Sequence, residues 1–119
     1  MTELRRETLT DSFWTKQSIG APQYKVQEVA KRTAQAPTWL HIGPGNIFRG
    51  YIAWLQHELL NQGKADTGIA IMSPSDPEKL HIMKDEWDLL TMQVILEKDG
   101  APKLDIIASV TEGVAAAEE

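Results

Sequence analysis

Apolar residues recur at separations of three and four between positions 46 and 62, the spacing of an amphipathic helix. The pattern is formed by Phe48, Tyr51, Ile52, Leu55 and Leu59. Gly63 follows it, where a helix would end. Before it, "TWLHI" predicts a short strand that ends at Gly43, and after it the continuous apolar run "TGIAIM" is typical of a strand covered on both faces. Strand, glycine turn, helix and strand therefore follow in order, which predicts two parallel strands joined by a helical crossover.

The first 36 residues have a different pattern and predict a helical arm. Thr10 or Asp11 is placed to cap a short helix that carries Phe13 and Trp14. The segment "SIGAPQ" interrupts the pattern. A second helix is predicted in "YKVQEVAKRTAQ", where one side carries Val26, Val29 and Ala30. Pro37 would stop that helix, so the arm is assigned to residues 1–36.

The segment after Met72 predicts one more helix and a hairpin. Ser75 or Asp76 would cap the helix, with Pro77 at its first position. Two β-rich runs then flank Asp99-Gly100, a strong hairpin signal. The tail "TEGVAAAEE" is expected to add no strand. We therefore expect an α/β fold: a partial Rossmann-type dinucleotide-binding domain at residues 37–119, with the helical arm and an added β-hairpin.

Composition and charge narrow the class of protein. The chain has 119 residues and 42% hydrophobic content, which suits one domain with a single core. A formal net charge of -5 supplies no positive field for a nucleic acid. No apolar run is long enough to span a membrane, and the amino terminus lacks the apolar segment of a signal peptide. With no cysteine, the expected location is the cytoplasm.

The turn "HIGPGNIFRG", residues 41–50, is the candidate ligand site. Gly43 can adopt a backbone conformation that other residues avoid, and Gly45 would let a ligand approach without a Cβ in the way. The amides at the helix start, with the helix dipole behind them, would bind a pyrophosphate; they belong to Asn46, Ile47 and Phe48. The third glycine of the dinucleotide fingerprint would fall at position 48, so the match is incomplete and a simple tight turn stays an alternative.

The remaining polar side chains are weaker candidates for binding a ligand or a metal. Arg49 could reach cofactor phosphates or a substrate carboxylate, or form only a surface salt bridge. His41 could contact a cofactor, although a satisfied buried histidine is the commoner case. His57 and His81 have no partner at metal-ligand spacing, so no metal is expected. A P-loop is excluded because no Gly-Lys-Ser/Thr follows the turn.

The residues that fill the turn resemble a known family. "WLHIGPGNIFRGYIAWLQHELLNQG" is similar to the opening of the long-chain mannitol dehydrogenase family, and "GNIFRG" looks most like its fructuronate reductase branch. The matching positions are Gly43, Gly45, Asn46, Phe48 and Arg49. The resemblance implies an NAD(P)-dependent oxidoreductase that interconverts a ketose or keto-uronate with its polyol or aldonate.

The same resemblance sets expectations for the rest of the site. The family usually reads the cofactor ribose with an acid at the end of the second strand; here Ser73 stands there, with Asp76 three residues on, so either NAD or NADP is compatible. The family's catalytic lysine lies in a later helical domain that this chain does not reach. The resemblance therefore implies an amino-terminal fragment, inactive alone, in which no residue is assigned as catalytic.

Two other classes of function remain open from the sequence. An S-adenosylmethionine-dependent methyltransferase also has a glycine-rich turn after its first strand, although it usually has acids where this chain has His41 and Ser73. A non-enzymatic nucleotide-binding or interaction module is the other alternative. For any of them, a half-built sheet would leave an edge and an apolar face uncovered, so self-association is expected.

Overall fold

The computed structural model describes residues 3–116. In this range the α-helices are α1 Ser12–Lys16, α2 Val26–Gln35, α3 Ala53–Asn61 and α4 Pro77–Asp85. The strands are β1 Ile19–Gly20, β2 Leu40–Ile42, β3 Ile69–Ser73, β4 Thr91–Ile95, β5 Lys103–Ile107 and β6 Val110–Ala115. A 3-10 turn forms at Arg6–Thr8, and a π-helical segment, Phe48–Ile52, leads directly into α3.

A three-stranded parallel sheet forms the centre of the fold. Its strand order is β2-β3-β6, and β2 pairs with β3 in the register that sets His41 opposite Ile71. The strand–helix–strand unit read from the sequence is confirmed by this pairing. In a doubly wound sheet the order 3-2-1 forms one half, and the fourth strand would pair with the free edge of the first. Here the corresponding first strand is β2, and its outer edge is unpaired within the part of the chain that the structure describes.

The prediction that the tail adds no strand was wrong. Strand β6 pairs in parallel with β3 and brings Gly113 opposite Ile71. Glycine and alanine carry little strand signal, so the segment did not stand out. The glycine has a packing reason: a Cβ at position 113 would lie 2.9 Å from Cδ1 of Leu80 in α4. The small residue lets the helix lie close to the sheet.

The arm packs against the hairpin. Strands β4 and β5 are antiparallel, as the Asp99-Gly100 signal predicted, and the short β1 adds to β5 in parallel. Buried residues from both parts share one apolar cluster: Leu9, Trp14, Val26, Leu90, Ile106 and Ala108. The division of the chain at residues 36 and 37 stays a prediction.

Helix starts follow the predicted caps. Asp11 caps α1 by accepting a hydrogen bond from the Phe13 amide at 2.8 Å. Asp76 caps α4 by accepting from the Lys79 amide at 3.0 Å, and Pro77 occupies the first position. Both caps satisfy amides that would otherwise lack a helical partner.

The π-helical segment Phe48–Ile52 and α3 together form one long helix, and its buried face differs from the predicted one. Tyr51 and Leu55, expected in the core, are 57% and 42% exposed. Beyond Phe48 the buried positions are Ala53, Gln56, His57 and Leu60. A π-helical turn holds an extra residue, which shifts the inward-facing set by one position. The shift leaves an exposed apolar stripe at four-residue spacing, formed by Ile47, Tyr51, Leu55 and Leu59.

His57 is a buried junction between three parts of the chain. Its Nδ1 lies 2.6 Å from the Tyr24 hydroxyl and 3.3 Å from the Ala108 amide nitrogen. Because the amide can only donate, Nδ1 is the unprotonated nitrogen and the hydroxyl also donates to it. Burial lowers the pKa of His57 to about 4, so the ring is uncharged in the folded protein at neutral pH.

This arrangement predicts a loss of stability in mild acid. The unfolded chain binds a proton at His57 below pH 6.5, whereas the folded chain resists protonation until about pH 4. Stability from this group is therefore complete above pH 6.5 and falls by about 3 kcal/mol as the pH drops through that interval. Urea unfolding of the native chain and of His57→Gln at a series of pH values measures the difference. The same change at the exposed His81 is the control, and equal pH slopes for native chain and His57→Gln would contradict the assignment.

Candidate functional site: the glycine turn

The turn between β2 and the helix is fixed by backbone hydrogen bonds. Gly43 has a φ of 95°, which favours glycine, and its amide donates to the Met72 carbonyl at 2.9 Å. The Gly45 amide donates to the Gly43 carbonyl at 3.0 Å. These bonds hold the turn against the carboxyl end of β3, at the edge where parallel sheets of this type bind ligands.

Gly45 differs from Gly43 in its surroundings. Its φ lies outside the left-handed region, and a Cβ built on it would meet no atom within 4 Å. Neither backbone strain nor packing in the described part of the chain therefore requires glycine at position 45. Open space in front of a helix start is what a close-approaching ligand would need.

Three amides precede the first bond of the helix. That bond runs from the Arg49 amide to the Gly45 carbonyl at 3.0 Å. The N–H groups of Asn46, Ile47 and Phe48 come before it and have no acceptor within the helix. Ile47 is 79% exposed, so this first turn faces solvent. The amides and the positive end of the helix dipole form a site suited to an anion.

Phe48 explains why the third fingerprint glycine is absent. Its side chain is 3% exposed and its ring stacks on the half-buried His41, with centroids 3.9 Å apart and planes 14° apart. An aromatic pair thus fills the space between strand and helix that the glycine-rich motif keeps small. The stacking gives His41 a packing role beside the turn.

Arg49 is held by contacts other than a salt bridge. Its Nη2 donates to the Asn46 side-chain oxygen, and its guanidinium carbon lies 5.4 Å from the centre of the Trp87 ring, within cation–π range. Among the described residues no carboxylate pairs with it. Its positive charge is therefore available to a ligand at the turn.

Ser73 and Asp76 lie together at the carboxyl end of β3. The Ser73 hydroxyl donates to the Asp76 carbonyl at 3.1 Å and accepts from the Asp76 amide at 3.3 Å. Ser73 is buried, whereas the Asp76 carboxylate caps α4 at an exposed position. The ribose role of both residues stays a prediction, and Asp76 is the one that a ligand can reach directly.

Sequence reasoning missed the contribution of the hairpin. Gln93 of β4 donates from its side-chain amide to the Gly50 carbonyl at 2.8 Å, and this bond ties the hairpin to the start of the helix. Trp87, in the segment after α4, supplies the ring beneath Arg49. Both residues lie far from the turn in the sequence, so only the tertiary fold brings them to it.

Within residues 3–116, His, Asp and Glu side chains form no group of three that could hold a metal ion. In the same range, each helix is too short or too polar to cross a bilayer.

A parallel sheet, a glycine turn at its carboxyl end and a helix that starts there define a Rossmann-type dinucleotide-binding fold. The structure is similar to Pseudomonas fluorescens mannitol 2-dehydrogenase solved with NAD and D-mannitol: TM-score 0.75, 20% identity, 99% of this chain and 23% of that one. It is also similar to a D-sorbitol dehydrogenase: TM-score 0.68, 17% identity, 86% of this chain and 20% of that one.

Sequence comparison points the same way. The chain is 39% identical over 112 residues to D-mannonate oxidoreductase of Thermotoga maritima, across 93% of this chain and 21% of the relative. It matches no protein-family model. These similarities confirm the resemblance to the long-chain mannitol dehydrogenase family. The chain spans about a fifth of the length of the relatives it matches.

Proposed function

We propose that this chain forms the NAD(P)-binding part of an oxidoreductase that interconverts a keto-uronate or ketose with its aldonate or polyol. Fructuronate and mannonate are the favoured pair, since the relative at 39% identity is a D-mannonate oxidoreductase. The observation that carries the proposal is Gly45: its side-chain position is open, lies at a helix start and is not required to be glycine by the fold.

The chain's own residues would bind and orient the cofactor. The amides of Asn46, Ile47 and Phe48 would hold the pyrophosphate, with Gly43 shaping the turn. Arg49, on the first turn of the helix, would direct its positive charge toward the phosphates or toward a substrate carboxylate, and Ser73 and Asp76 would lie toward the ribose. When bound, the nicotinamide supplies hydride exchange with the carbonyl carbon of the sugar. No described residue is assigned to the accompanying proton transfer.

Cofactor titration tests this proposal. Isothermal calorimetry of the chain with NADH and NADPH should give saturable binding, and the comparison of the two ranks NAD against NADP. S-adenosylmethionine is the competing ligand, since a methyltransferase would use the same turn. Binding of S-adenosylmethionine with no binding of either nicotinamide cofactor would replace the proposal by the methyltransferase alternative.

Self-association is a second proposal for the isolated chain. Among residues 3–116, one edge of strand β2 pairs with no other strand, and its Leu40 and Ile42 are 56% and 60% exposed. An unprotected edge with apolar side chains pairs readily with another strand. Light scattering after size exclusion should show a concentration-dependent dimer. Ile42→Lys should shift it to monomer, whereas Ile47→Lys, at an exposed position off the edge, should not. A monomer at every concentration would count against the idea.

A further inference from the structure

A cleft of about 510 Å³ lies between the start of the long helix and strand β4. Its polar lining comes from Asn46, Arg49, Gly50, Thr91 and Gln93. The helix side of the cleft follows directly from the glycine turn, and the opposite side is the hairpin. It therefore adjoins the proposed cofactor site without being formed by the same amides.

Two side chains of this cleft have unused hydrogen-bonding capacity. The Arg49 Nε is buried and donates to no acceptor, and the Gln93 Oε1 is buried and accepts from no donor. Most buried polar atoms in folded proteins are partnered. Among the described residues, Arg6 Nε and Thr111 Oγ1 are also buried without a partner. In this cleft, which adjoins the glycine turn, the unpartnered donor and the unpartnered acceptor come from two elements that face each other, which favours a ligand between them.

Both side chains are already positioned. The amide nitrogen of Gln93 is bound to the Gly50 carbonyl at 2.8 Å, which identifies the free atom as the acceptor oxygen. The Arg49 guanidinium lies between the Asn46 side chain and the Trp87 ring. A guanidinium fixed in this way loses less freedom when it binds an anion.

We propose that this cleft binds a polyhydroxy carboxylate, with Arg49 pairing with the carboxylate and Gln93 accepting a hydrogen bond from a hydroxyl. The assignment rests on the proposed function and deepens it by defining how a sugar acid is distinguished from a neutral polyol. A carboxylate satisfies the guanidinium, and a neighbouring hydroxyl satisfies the amide oxygen. A phosphodiester oxygen could serve Arg49 but brings no donor for Gln93.

Nuclear magnetic resonance of the ¹⁵N-labelled chain tests the proposal directly, because the Nε–H group of Arg49 and the side-chain amide of Gln93 each give a signal. Sodium D-mannonate should shift both signals along a saturable curve. D-Mannitol, which lacks the carboxylate, and sodium acetate, which lacks the hydroxyls, should bind at least about tenfold more weakly. Absence of saturable shifts at these two side chains with mannonate would overturn the proposal.

Variants separate the two contacts. Arg49→Gln should weaken mannonate binding at least about tenfold, and Gln93→Met, which keeps the side-chain length, should weaken it several-fold. Arg32→Gln is the matched control, since Arg32 is exposed and donates to the Asp66 carbonyl at 2.9 Å. Dispersed backbone spectra check that each variant is folded. Equal mannonate affinity in the native chain and both cleft variants would refute the assignment.

An NADH titration of the same sample distinguishes failure of the cleft assignment from failure of the proposed cofactor-binding function. NADH binding without mannonate binding would overturn the cleft assignment and leave the cofactor proposal in place. Mannonate binding without NADH binding would support the cleft and contradict the cofactor proposal. If NADH saturates the Arg49 and Gln93 signals and mannonate does not, the cleft belongs to the cofactor and the assignment is wrong.

Discussion

Replacing Gly45 by valine is expected to weaken NADH binding at least about a hundredfold, a loss of about 2.7 kcal/mol. The branched side chain would occupy the space that the pyrophosphate must enter to reach the helix amides. Within the described chain a Cβ at this position has no atom within 4 Å apart from its chain neighbours, so the branched side chain starts in open space. The fold should therefore survive a substitution that abolishes tight cofactor binding.

The control for that variant is Gly45→Ala. Alanine and valine are both poor residues at a helix N-cap, so each should cost about 1 kcal/mol of stability. They differ in bulk, and only the valine should remove most of the affinity, with alanine intermediate. Calorimetry gives the affinities and thermal unfolding gives the stabilities. Unchanged NADH affinity in Gly45→Val would disprove the role of the turn as a phosphate site.

The elements of the parallel unit could be predicted from sequence because their signals are local. Short apolar runs and caps such as Asp76 depend on neighbouring residues alone. The helix face could not be predicted, since the π-helical turn at Phe48–Ile52 shifts the buried set and leaves no mark in the apolar spacing. A regular α-helix would have buried Tyr51 and Leu55.

The site was predictable only along one stretch of chain. Gly43, Gly45 and Arg49 lie within seven residues, so a motif could reveal them. Gln93 lies 43 positions from Gly50, its hydrogen-bond partner, so no short motif contains both residues. Strand β6 was not predicted for a related reason. Glycine at position 113 is required by its close packing against Leu80 of α4, a residue distant in sequence, and that glycine weakens the local strand pattern.

The chain by itself is expected to give no measurable turnover of fructuronate, tagaturonate or fructose with NADH or NADPH. Near the turn, the His41 ring packs on Phe48. None of the lysines lines the Arg49 cleft. General acid–base help contributes about two to four orders of magnitude to the rate, and held substrate geometry contributes more.

Absorbance of the reduced cofactor at saturating substrate measures this activity. The whole-length D-mannonate oxidoreductase of Thermotoga maritima, assayed with mannonate and NAD⁺ in parallel with the chain under the same conditions, is the positive control, and NADH calorimetry confirms that the same preparation of the chain is folded and binds cofactor. Turnover by the chain within about a hundredfold of that enzyme would mean that its described residues include the acid–base group. His41→Gln would then identify it: loss of turnover in that variant alone would assign the proton transfer to His41, beside the turn.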